Sequence, residues 1–461
     1  MVAYVATMSA KAVTALLVAT TFLAGCLEEE PGVKQTAVDD LVASLLAPPI
    51  EDALWNDPQL FPHPAFNWPT LTHVPANAPA LWQPIVGRDL PDPVKAVKHL
   101  AQAGSGSTGD GIAVFGRLVV TPGGIILDIT DPAKPIVLND MDVKPGGRQA
   151  VIIPFPDGKL YAAFATGSGN VPIWDITDPK NASEVHVFKV PSGGHTIGVV
   201  PGTPILYNAN AVGSRYYPHE ASGGKSIAQV EIYDLSNPDD PKLVKEWKNG
   251  YGCHEISFYI NPTINKLRAY CAAVDATQIW DISDPRAPVI LSTIAMPHGQ
   301  MGGTGYPILA AVSHWTVVND DATVMGVADE FLGGAGPGCD VYVRQQGRTV
   351  SGPAGNVYFY DIKNEKQPVL KGWVNPGAHF TYNPKAGACT AHIGRMVPQA
   401  KADLMAMSFY NGGLALIDFT DPAQPYIKSA WQQASPMDVW YYNGYLFAGD
   451  GSHGIDVLTL E

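Results

Sequence analysis

A ten-residue stretch of this chain reads Ile126-Leu-Asp128-Ile-Thr-Asp-Pro132-Ala-Lys-Pro135, and versions of it return along the whole sequence. Its Asp and Thr or Ser side chains can bond to nearby backbone and its prolines fix the chain direction, which predicts a strand that ends in a tight turn. We call this stretch the Asp-Pro repeat. Copies recur at intervals of roughly 40 to 80 residues, and a fixed motif with elastic spacing is typical of a repeat fold with variable loops. The seven copies are centred on Asp128, Asp175, Asp234, Asp281, Asp361, Asp418 and Asp456.

Between the copies, alternating apolar residues and turn residues indicate four strands in each unit. The fourth unit shows this best, with strands predicted over 254–260, 267–274, 278–282 and 288–295. Seven such units can close into a ring that protects the sheet edges. The sequence therefore predicts an all-β fold, a seven-bladed β-propeller over residues 105–461. The repeated aspartates are interpreted as turn residues and not as an array that binds calcium.

The seventh unit ends after its third strand, so its sheet lacks an outer strand. A terminal segment often completes the last blade of a propeller, and residues 92–104 are predicted to do so here. The rest of 26–104 contains no copy of the repeat and is interpreted as a tether followed by an irregular arm. The part from Ala53 to Pro84 is rich in Pro, Trp and Phe, too apolar for a free linker, and is expected to pack on the propeller.

The Asp-Pro repeat resembles the phrase of the LVIVD-repeat family, which is hydrophobic-hydrophobic-Asp-hydrophobic-Ser/Thr-Asp-Pro-x-x-Pro. The resemblance covers about 350 residues and six of the seven copies. The fifth copy departs from it, with Glu365 in place of the first proline. The resemblance implies a surface-exposed β-propeller but no particular reaction, so function has to be argued from the site.

Residues 1–25 contain one charge, Lys11, and an apolar run too short to span a bilayer, which is typical of a signal peptide. The run ends in Leu23-Ala-Gly-Cys26, which resembles the lipobox of prokaryotic lipoproteins. That resemblance implies a lipid on Cys26 and an extracytoplasmic protein anchored to the cell membrane or surface. The alternative is an ordinary signal peptide with a chance cysteine.

The four other cysteines suggest two disulfides, because an exported protein folds in an oxidising compartment. Three connectivities are open. We favour Cys253–Cys271, which flank a short hairpin, and Cys339–Cys389, which lie in two long loops. The formal net charge of -14 argues against a nucleic-acid partner, since phosphate binding needs a basic face.

Aligning the seven units reveals a second pattern, in the residue that opens the innermost strand of each blade. From this residue to the repeat aspartate there are 18 residues in blades one and seven, and 26 or 27 in blades two, four and six. In blade order the seven residues are Asp110, Gln149, His195, His254, His314, His392 and Asp438. Four imidazoles are therefore expected at one mouth of the central channel.

Imidazole clusters of this kind suit Cu, Zn or Fe. The metal ligands proposed from sequence are His195, His254, His314 and His392, and the alternative is a water-filled channel in which histidines bond to backbone. Further ligands, or groups that orient a ligand or take a proton, are expected among residues of the same face. These are Asp110, Gln149, Asp438, Asp329, Glu330 and His453. A cysteine ligand from Cys253 or Cys389 is open but less favoured than the disulfides.

Two classes of function remain open from sequence. The first is a surface-anchored propeller that binds a small molecule or a protein at the channel face. The second is a Cu- or Fe-dependent oxidoreductase that uses the channel histidines. It is similar in outline to the selenium-binding-protein/methanethiol oxidase family, with copper, and to the carotenoid oxygenases, with iron. That likeness covers architecture and histidine placement only, because none of their sequence signatures occurs here.

Overall fold

The structure is a computed structural model, and all its described residues belong to the compact unit Ala53–Glu461. They are 80–104, 110–141, 143, 147–155, 157–191, 193–201, 203–210, 230–247, 252–274, 276–297, 312–330, 343–345, 348–350, 355–376, 389–450 and 454–461. The predicted signal peptide, Cys26, the tether and the predicted arm as far as residue 79 lie outside these ranges. Within the same ranges, no helix has the length and apolar character needed to cross a bilayer.

Seven four-stranded antiparallel sheets form the fold, which confirms the predicted all-β, seven-bladed β-propeller. The first four blades comprise β2 (Ala113–Phe115), β3 (Leu118–Val120), β4 (Ile125–Asp128) and β5 (Ile136–Asp140); β6 (Gln149–Pro154), β7 (Leu160–Ala165), β8 (Asn170–Asp175) and β9 (Ser183–Lys189); β10 (Thr196–Val199), β11 (Ile205–Ala209), β12 (Val230–Asp234) and β13 (Lys242–Trp247); β14 (Glu255–Asn261), β15 (Lys266–Ala272), β16 (Ala276–Asp281) and β17 (Val289–Ala295).

The remaining three blades contain one strand from far upstream in the chain. They comprise β18 (Ser313–Val318), β19 (Val324–Asp329), β22 (Val357–Asp361) and β23 (Val369–Val374); β24 (Gly394–Val397), β25 (Leu404–Ser408), β26 (Leu414–Asp418) and β27 (Tyr426–Trp431); β28 (Pro436–Tyr442), β29 (Tyr445–Asp450), β30 (Gly454–Leu460) and β1 (Val97–Ala103). A hairpin of β20 (Val343–Gln345) and β21 (Arg348–Val350) is inserted in blade five, and short 3-10 turns occupy Ala80–Trp82, Pro179–Asn181 and Tyr410–Gly412.

The first strands of neighbouring blades contact one another, so they surround a common axis and are innermost. The contacts run from β2 to β6, β6 to β10, β10 to β14, β14 to β18, β18 to β24 and β24 to β28. Middle strands such as β7 are buried at every residue, whereas outer strands such as β13 are largely exposed. The apolar core therefore lies between adjacent blades, and the axis is lined by the innermost strands alone.

Six of the seven repeat aspartates close the turn between the third and fourth strands of their blades, as predicted. Asp281 Oδ1 accepts a hydrogen bond from the Ser283 amide at 2.9 Å, and a bond to the residue two positions on recurs in six copies. The second acidic or amide residue of the repeat, three positions further on, makes the same kind of bond, as Asp284 Oδ1 does when it accepts from the Arg286 amide at 2.9 Å. The repeat is fixed in sequence because its side chains satisfy the backbone of this turn.

The departure in the fifth copy has a structural reason, because Glu365 ties blade five to blade four. Its carboxylate accepts hydrogen bonds from Arg268 Nε at 2.9 Å and Nη2 at 2.9 Å, and from Asn261 Nδ2 at 3.1 Å. The side chain of Arg268 is 4% exposed, and its second carboxylate partner is Asp281 at 3.2 Å. Proline at this position would leave a buried guanidinium with only part of its charge compensated.

Glu365→Pro is therefore expected to destabilise the protein although it restores the sequence of the repeat. We expect a loss of about 2–3 kcal/mol in the free energy of unfolding, because charged hydrogen bonds to buried Arg268 are lost. Urea unfolding followed by tryptophan fluorescence measures it, with exposed Lys366→Ala as the matched control. Equal stability of Glu365→Pro and wild type would show that the contact between blades four and five contributes nothing.

Blade seven is completed by β1, as the sequence predicts. The strand pairs antiparallel with β30, from Val97 opposite Leu460 to Ala103 opposite Ile455. His99 Nε2 lies 2.8 Å from Oδ1 of Asp456, the repeat aspartate of this blade. The ring is thus closed by strand pairing between the two ends of the propeller sequence.

The described part of the predicted arm packs on the propeller. The Trp82 side chain is 1% exposed and meets Phe115 of blade one edge-on, with ring centroids 5.4 Å apart. The Arg88 amide donates to the Asn443 carbonyl of blade seven at 2.9 Å. The arm therefore runs across the junction where the ring closes.

The predicted disulfide Cys253–Cys271 is formed, and it joins the segment before β14 to β15 with a Cα–Cα distance of 5.2 Å. Cys389 is also disulfide-bonded, while its predicted partner Cys339 lies outside the described residues. Neither Cys253 nor Cys389 offers a thiolate to a metal, which removes the alternative of a cysteine ligand.

Candidate metal centre

The four histidines proposed from sequence lie side by side at one end of the central channel. Ring centroids are 3.8 Å apart for His195 and His254, 4.7 Å for His254 and His314, and 4.1 Å for His314 and His392. They form a continuous arc across blades three to six. His314 and His392 are both 1% exposed, so this end of the channel is packed with imidazole.

The innermost strands position these side chains through their pairing. The histidine amides in three blades donate to a carbonyl of the second strand of the same blade, which fixes the start of each innermost strand. These pairs are His195 with Ala209 at 2.9 Å, His254 with Ala272 at 2.6 Å, and His392 with Ser408 at 3.0 Å. His314 sits in a bulge of β18 between Ser313 and Trp315, and a bulge redirects a side chain out of the regular alternation.

Three of the four imidazoles surround the carboxylate of Glu330. It follows β19 directly, it is 4% exposed, and its amide is held by the Val312 carbonyl at 3.0 Å. Its Oε2 lies 3.3 Å from His254 Nε2 and 3.5 Å from His314 Nε2, and its Oε1 lies 3.8 Å from His392 Nε2. The carboxylate therefore stands opposite three ring nitrogens that all face it.

The contact of His254 with Glu330 is a long hydrogen bond, and the separations around Glu330 also fit ligands of one metal ion. Ligands at about 2.0–2.1 Å in a tetrahedral site lie roughly 3.3–3.4 Å from one another. The separations of 3.3 and 3.5 Å around Glu330 match that edge length. His254, His314 and Glu330 are one of two groups of described residues whose ligand atoms all lie within 4.8 Å of one another. This donor set fits zinc, copper or iron.

His392 is held in the tautomer that a metal ligand needs. Its Nδ1 contacts the Met437 carbonyl, which can only accept a hydrogen bond, so Nδ1 carries the proton. The lone pair is then on Nε2, the nitrogen that faces Glu330. A backbone carbonyl that orients an imidazole in this way is a usual companion of metal-bound histidine.

Tyr410 is a site residue that the sequence analysis did not identify. Its hydroxyl donates a hydrogen bond to Glu330 Oε1, and its ring centroid lies 4.5 Å from that of His392. Its backbone has a φ of 49°, in the left-handed region that a bulky residue rarely adopts. A strained backbone conformation persists only where surrounding contacts hold it in place. Here it positions the Tyr410 hydroxyl against the Glu330 carboxylate.

Burial favours the uncharged form of these groups. It lowers the pKa of His254 to about 3, and it also lowers the pKa of His195, His314 and His392. Burial raises the pKa of Glu330 to about 8, although the Tyr410 hydrogen bond acts in the opposite direction. The imidazoles are thus neutral at pH 7 and present lone pairs, which is the state that coordinates metal.

Asp110 and Gln149, which occupy the equivalent position in blades one and two, are engaged by the protein itself. Asp110 Oδ2 accepts a hydrogen bond from Arg148 Nε at 2.7 Å. Gln149 Oε1 accepts from the Ile197 amide at 2.9 Å and so bridges two innermost strands. His453 lies outside the described residues.

Asp438 and Asp329, two further candidates from sequence, accept hydrogen bonds from backbone amides. Asp438 Oδ2 accepts a hydrogen bond from the Ile112 amide at 3.0 Å, which links blade seven to blade one. Asp329 accepts from the Val312 amide at 2.8 Å and from the Gly355 amide at 3.0 Å. Asp329 thereby stiffens the turn that carries Glu330, and only the second residue of the predicted Asp-Glu pair faces the histidines.

Glu255 is a second carboxylate at this centre that the sequence analysis did not identify. It is the first residue of β14, it is 1% exposed, and its Oε1 lies 3.6 Å from His195 Nδ1. Burial raises its pKa well above the usual value, and the charge of Asp110 adds to the effect. With His195 and His254 it forms the second group of described residues whose ligand atoms all lie within 4.8 Å of one another.

Residues of the innermost strands also line a largely aromatic and aliphatic cavity with about 880 Å³ of empty space, including its open end. Its one cationic wall residue is Arg395, which lies between two indole rings, 4.5 Å from the centroid of Trp315 and 4.6 Å from that of Trp440. The Arg395 Nη1 donates to the Gly394 carbonyl at 2.9 Å. A small molecule in this cavity would meet mainly apolar walls and the guanidinium of Arg395.

The chain matches no protein-family model and no curated protein. Among solved structures, a protein from Lactobacillus plantarum aligns with a TM-score of 0.48 and 14% identity over 71% of this chain and 84% of that chain. A putative 6-phosphogluconolactonase from Bacteroides fragilis aligns with a TM-score of 0.46 and 12% identity over 71% of this chain and 83% of that chain. The β-propeller domain of Cps50 (Swd1) from Myceliophteria thermophila aligns with a TM-score of 0.48 and 10% identity over 79% of this chain and 100% of that chain. Likenesses at this level say nothing about what the present chain binds.

Proposed function

We propose that this chain is a lipid-anchored, extracytoplasmic β-propeller of the LVIVD-repeat type that holds a transition-metal ion at one end of its central channel. The ion and the adjoining cavity would bind a small molecule or a protein at the channel face. The observation that carries the proposal is the Glu330 carboxylate, which faces three imidazole nitrogens at 3.3 to 3.8 Å.

The proposed location has two kinds of support. The Leu23-Ala-Gly-Cys26 junction resembles a lipobox, and the Cys253–Cys271 disulfide is of the kind that persists in oxidising compartments. Mass spectrometry of the mature amino terminus tests the lipid anchor directly. An unmodified chain that starts at a residue other than Cys26 would remove this part of the proposal.

A binding role is better supported than an oxidoreductase. With His392, whose Nε2 lies 3.8 Å from Glu330 Oε1, as a fourth donor beside the group of His254, His314 and Glu330, the site would have four protein donors. Four protein donors close the coordination of an ion that prefers four ligands. Catalytic sites, by contrast, usually keep one position open for water or substrate. The second hypothesis from sequence, a Cu- or Fe-dependent oxidoreductase, would need an additional coordination position beside these four groups.

Glu330→Gln tests the metal site with little change in shape. We expect its affinity for Zn²⁺ at the Glu330 site to fall by roughly 100-fold or more, because an amide cannot lose a proton to become an anionic ligand as the carboxyl group does on binding metal. Calorimetric titration of chelator-treated protein with Zn²⁺, Cu²⁺ and Fe²⁺ gives the affinities, and Glu184→Gln, an exposed carboxylate of β9, is the matched control. If wild type and Glu330→Gln bind each ion equally, or if neither binds, the histidines are only the polar lining of a channel.

A further inference from the structure

Glu255 is a buried carboxylate that the fold leaves without a hydrogen bond. It is 1% exposed, and neither carboxylate oxygen has a hydrogen-bond partner among the residues that the structure describes. A buried carboxyl group that makes no hydrogen bond costs stability whether it is charged or neutral, so its retention indicates that something else satisfies it. The imidazole of His195 lies beside it, with Nδ1 at 3.6 Å from Oε1, outside hydrogen-bond distance, and the Arg148 guanidinium acts on it through its charge.

The imidazoles next to Glu255 are unsatisfied in the same way. His195 Nδ1 and His254 Nδ1 are buried, and within the described ranges neither has a hydrogen-bond partner. His195, His254 and Glu255 nevertheless offer ligand atoms within 4.8 Å of one another. These groups face one another and make no hydrogen bonds with those atoms among the described residues, and a cation would satisfy all three.

This group is distinct from the one at Glu330, although both include His254. His254 Nε2 faces Glu330 at 3.3 Å, while its Nδ1 is buried and has no hydrogen-bond partner among the described residues. We propose that a second divalent transition-metal ion binds to His195, Glu255 and Nδ1 of His254, so that the His254 ring bridges two ions. The inference rests on the proposed function, because the first ion of the pair is the one at Glu330.

The bridge has a definite proton balance. A neutral imidazole keeps one N–H, so His254 coordinates through both nitrogens only when that proton is released to solvent and the ring becomes imidazolate. Two divalent ions carry four positive charges. The imidazolate and the carboxylates of Glu255 and Glu330 carry three negative charges and so neutralise most of them. Copper and zinc accept both imidazole nitrogen and carboxylate oxygen, whereas calcium and magnesium prefer oxygen donors alone.

The stoichiometry of metal binding tests the inference. The full-length chain, stripped with chelator and reloaded with Zn²⁺, is expected to retain two ions after gel filtration, as counted by elemental mass spectrometry. Glu255→Gln, which preserves the size of the side chain, is expected to retain one ion, and so is His195→Ala. Exposed Glu184→Gln is the matched control and is expected to retain two.

Copper gives a readout that altered packing alone would not change. Two Cu²⁺ ions bridged by imidazolate couple magnetically, so the electron paramagnetic resonance signal per copper should be weaker in wild type than in Glu255→Gln. One ion in wild type, or two in Glu255→Gln, overturns the second site and leaves the proposed function intact. No ion in wild type overturns both.

Discussion

Removal of residues 92–104 is expected to open the ring and cost more stability than any single substitution in the core. Without β1, the edge of β30 loses its partner from Val97 to Ala103, and the apolar residues beneath it lose their cover. Val94 just before the strand is 0% exposed. We expect a loss of roughly 5 kcal/mol or more, beyond the usual range for one substitution, with exposure of an aggregation-prone edge. Thermal unfolding and light scattering measure both effects.

Two point variants separate the loss of pairing from a general effect of deletion. Val94→Asp places a charge in a fully buried position and is expected to destabilise by several kcal/mol, since the carboxylate has no partner there. Leu100 occupies the bulge of β1 and is 39% exposed, so Leu100→Ala is the mild control. A synthetic peptide of residues 92–104 should restore the melting temperature of the deletion variant. An unchanged melting temperature on deletion would mean that another segment closes blade seven.

His254→Ala is expected to have the largest effect on metal binding of any single substitution. His254 is the one residue shared by both ligand groups found among the described residues, and its Nε2 faces Glu330 at 3.3 Å. We expect zinc affinity to fall by more than roughly 100-fold, because even residues that only orient a ligand contribute 10- to 100-fold. Calorimetric titration gives the affinity.

The control for this variant is His186→Ala, which removes a half-buried imidazole from β9, on the outer strand of blade two. Its zinc affinity should equal that of wild type. The far-ultraviolet circular dichroism of His254→Ala should also equal that of wild type, since the contacts that fix the start of β14 come from backbone atoms. Retention of tight zinc binding by His254→Ala would contradict the site as described.

The sequence predicts the fold closely because the repeat carries turn chemistry that can be read residue by residue. The four strands predicted for blade four differ from β14, β15, β16 and β17 by no more than two residues at any end. The strand that completes blade seven can be predicted because the last unit has only three strands, whereas the other units have four. The role of Glu365 cannot be predicted in this way, because its partner Arg268 lies 97 residues away and no local sequence pattern indicates the contact.

The histidine arc follows from spacing alone, since equivalent positions in a repeat fold occupy equivalent places around an axis. Other site residues depend on irregular backbone. Tyr410 reaches Glu330 through a left-handed φ of 49°, which sequence patterns do not reveal for tyrosine. Glu255 adjoins His254 in sequence, yet regular alternation in a strand would turn neighbouring side chains to opposite sides. Asp329 was grouped with Glu330 by adjacency, and alternation separates their roles.

The two indole rings that hold Arg395 give the channel an optical signal of its own. Tryptophan emission depends on the charges beside the ring, and Trp315 and Trp440 both have a guanidinium within 4.6 Å. An acidic molecule that enters the cavity and draws Arg395 toward itself would weaken both cation–π contacts and shift the emission. Intrinsic fluorescence of the unlabelled protein can therefore serve as a screen for ligands, with Arg395→Met as the variant that separates channel occupancy from binding elsewhere.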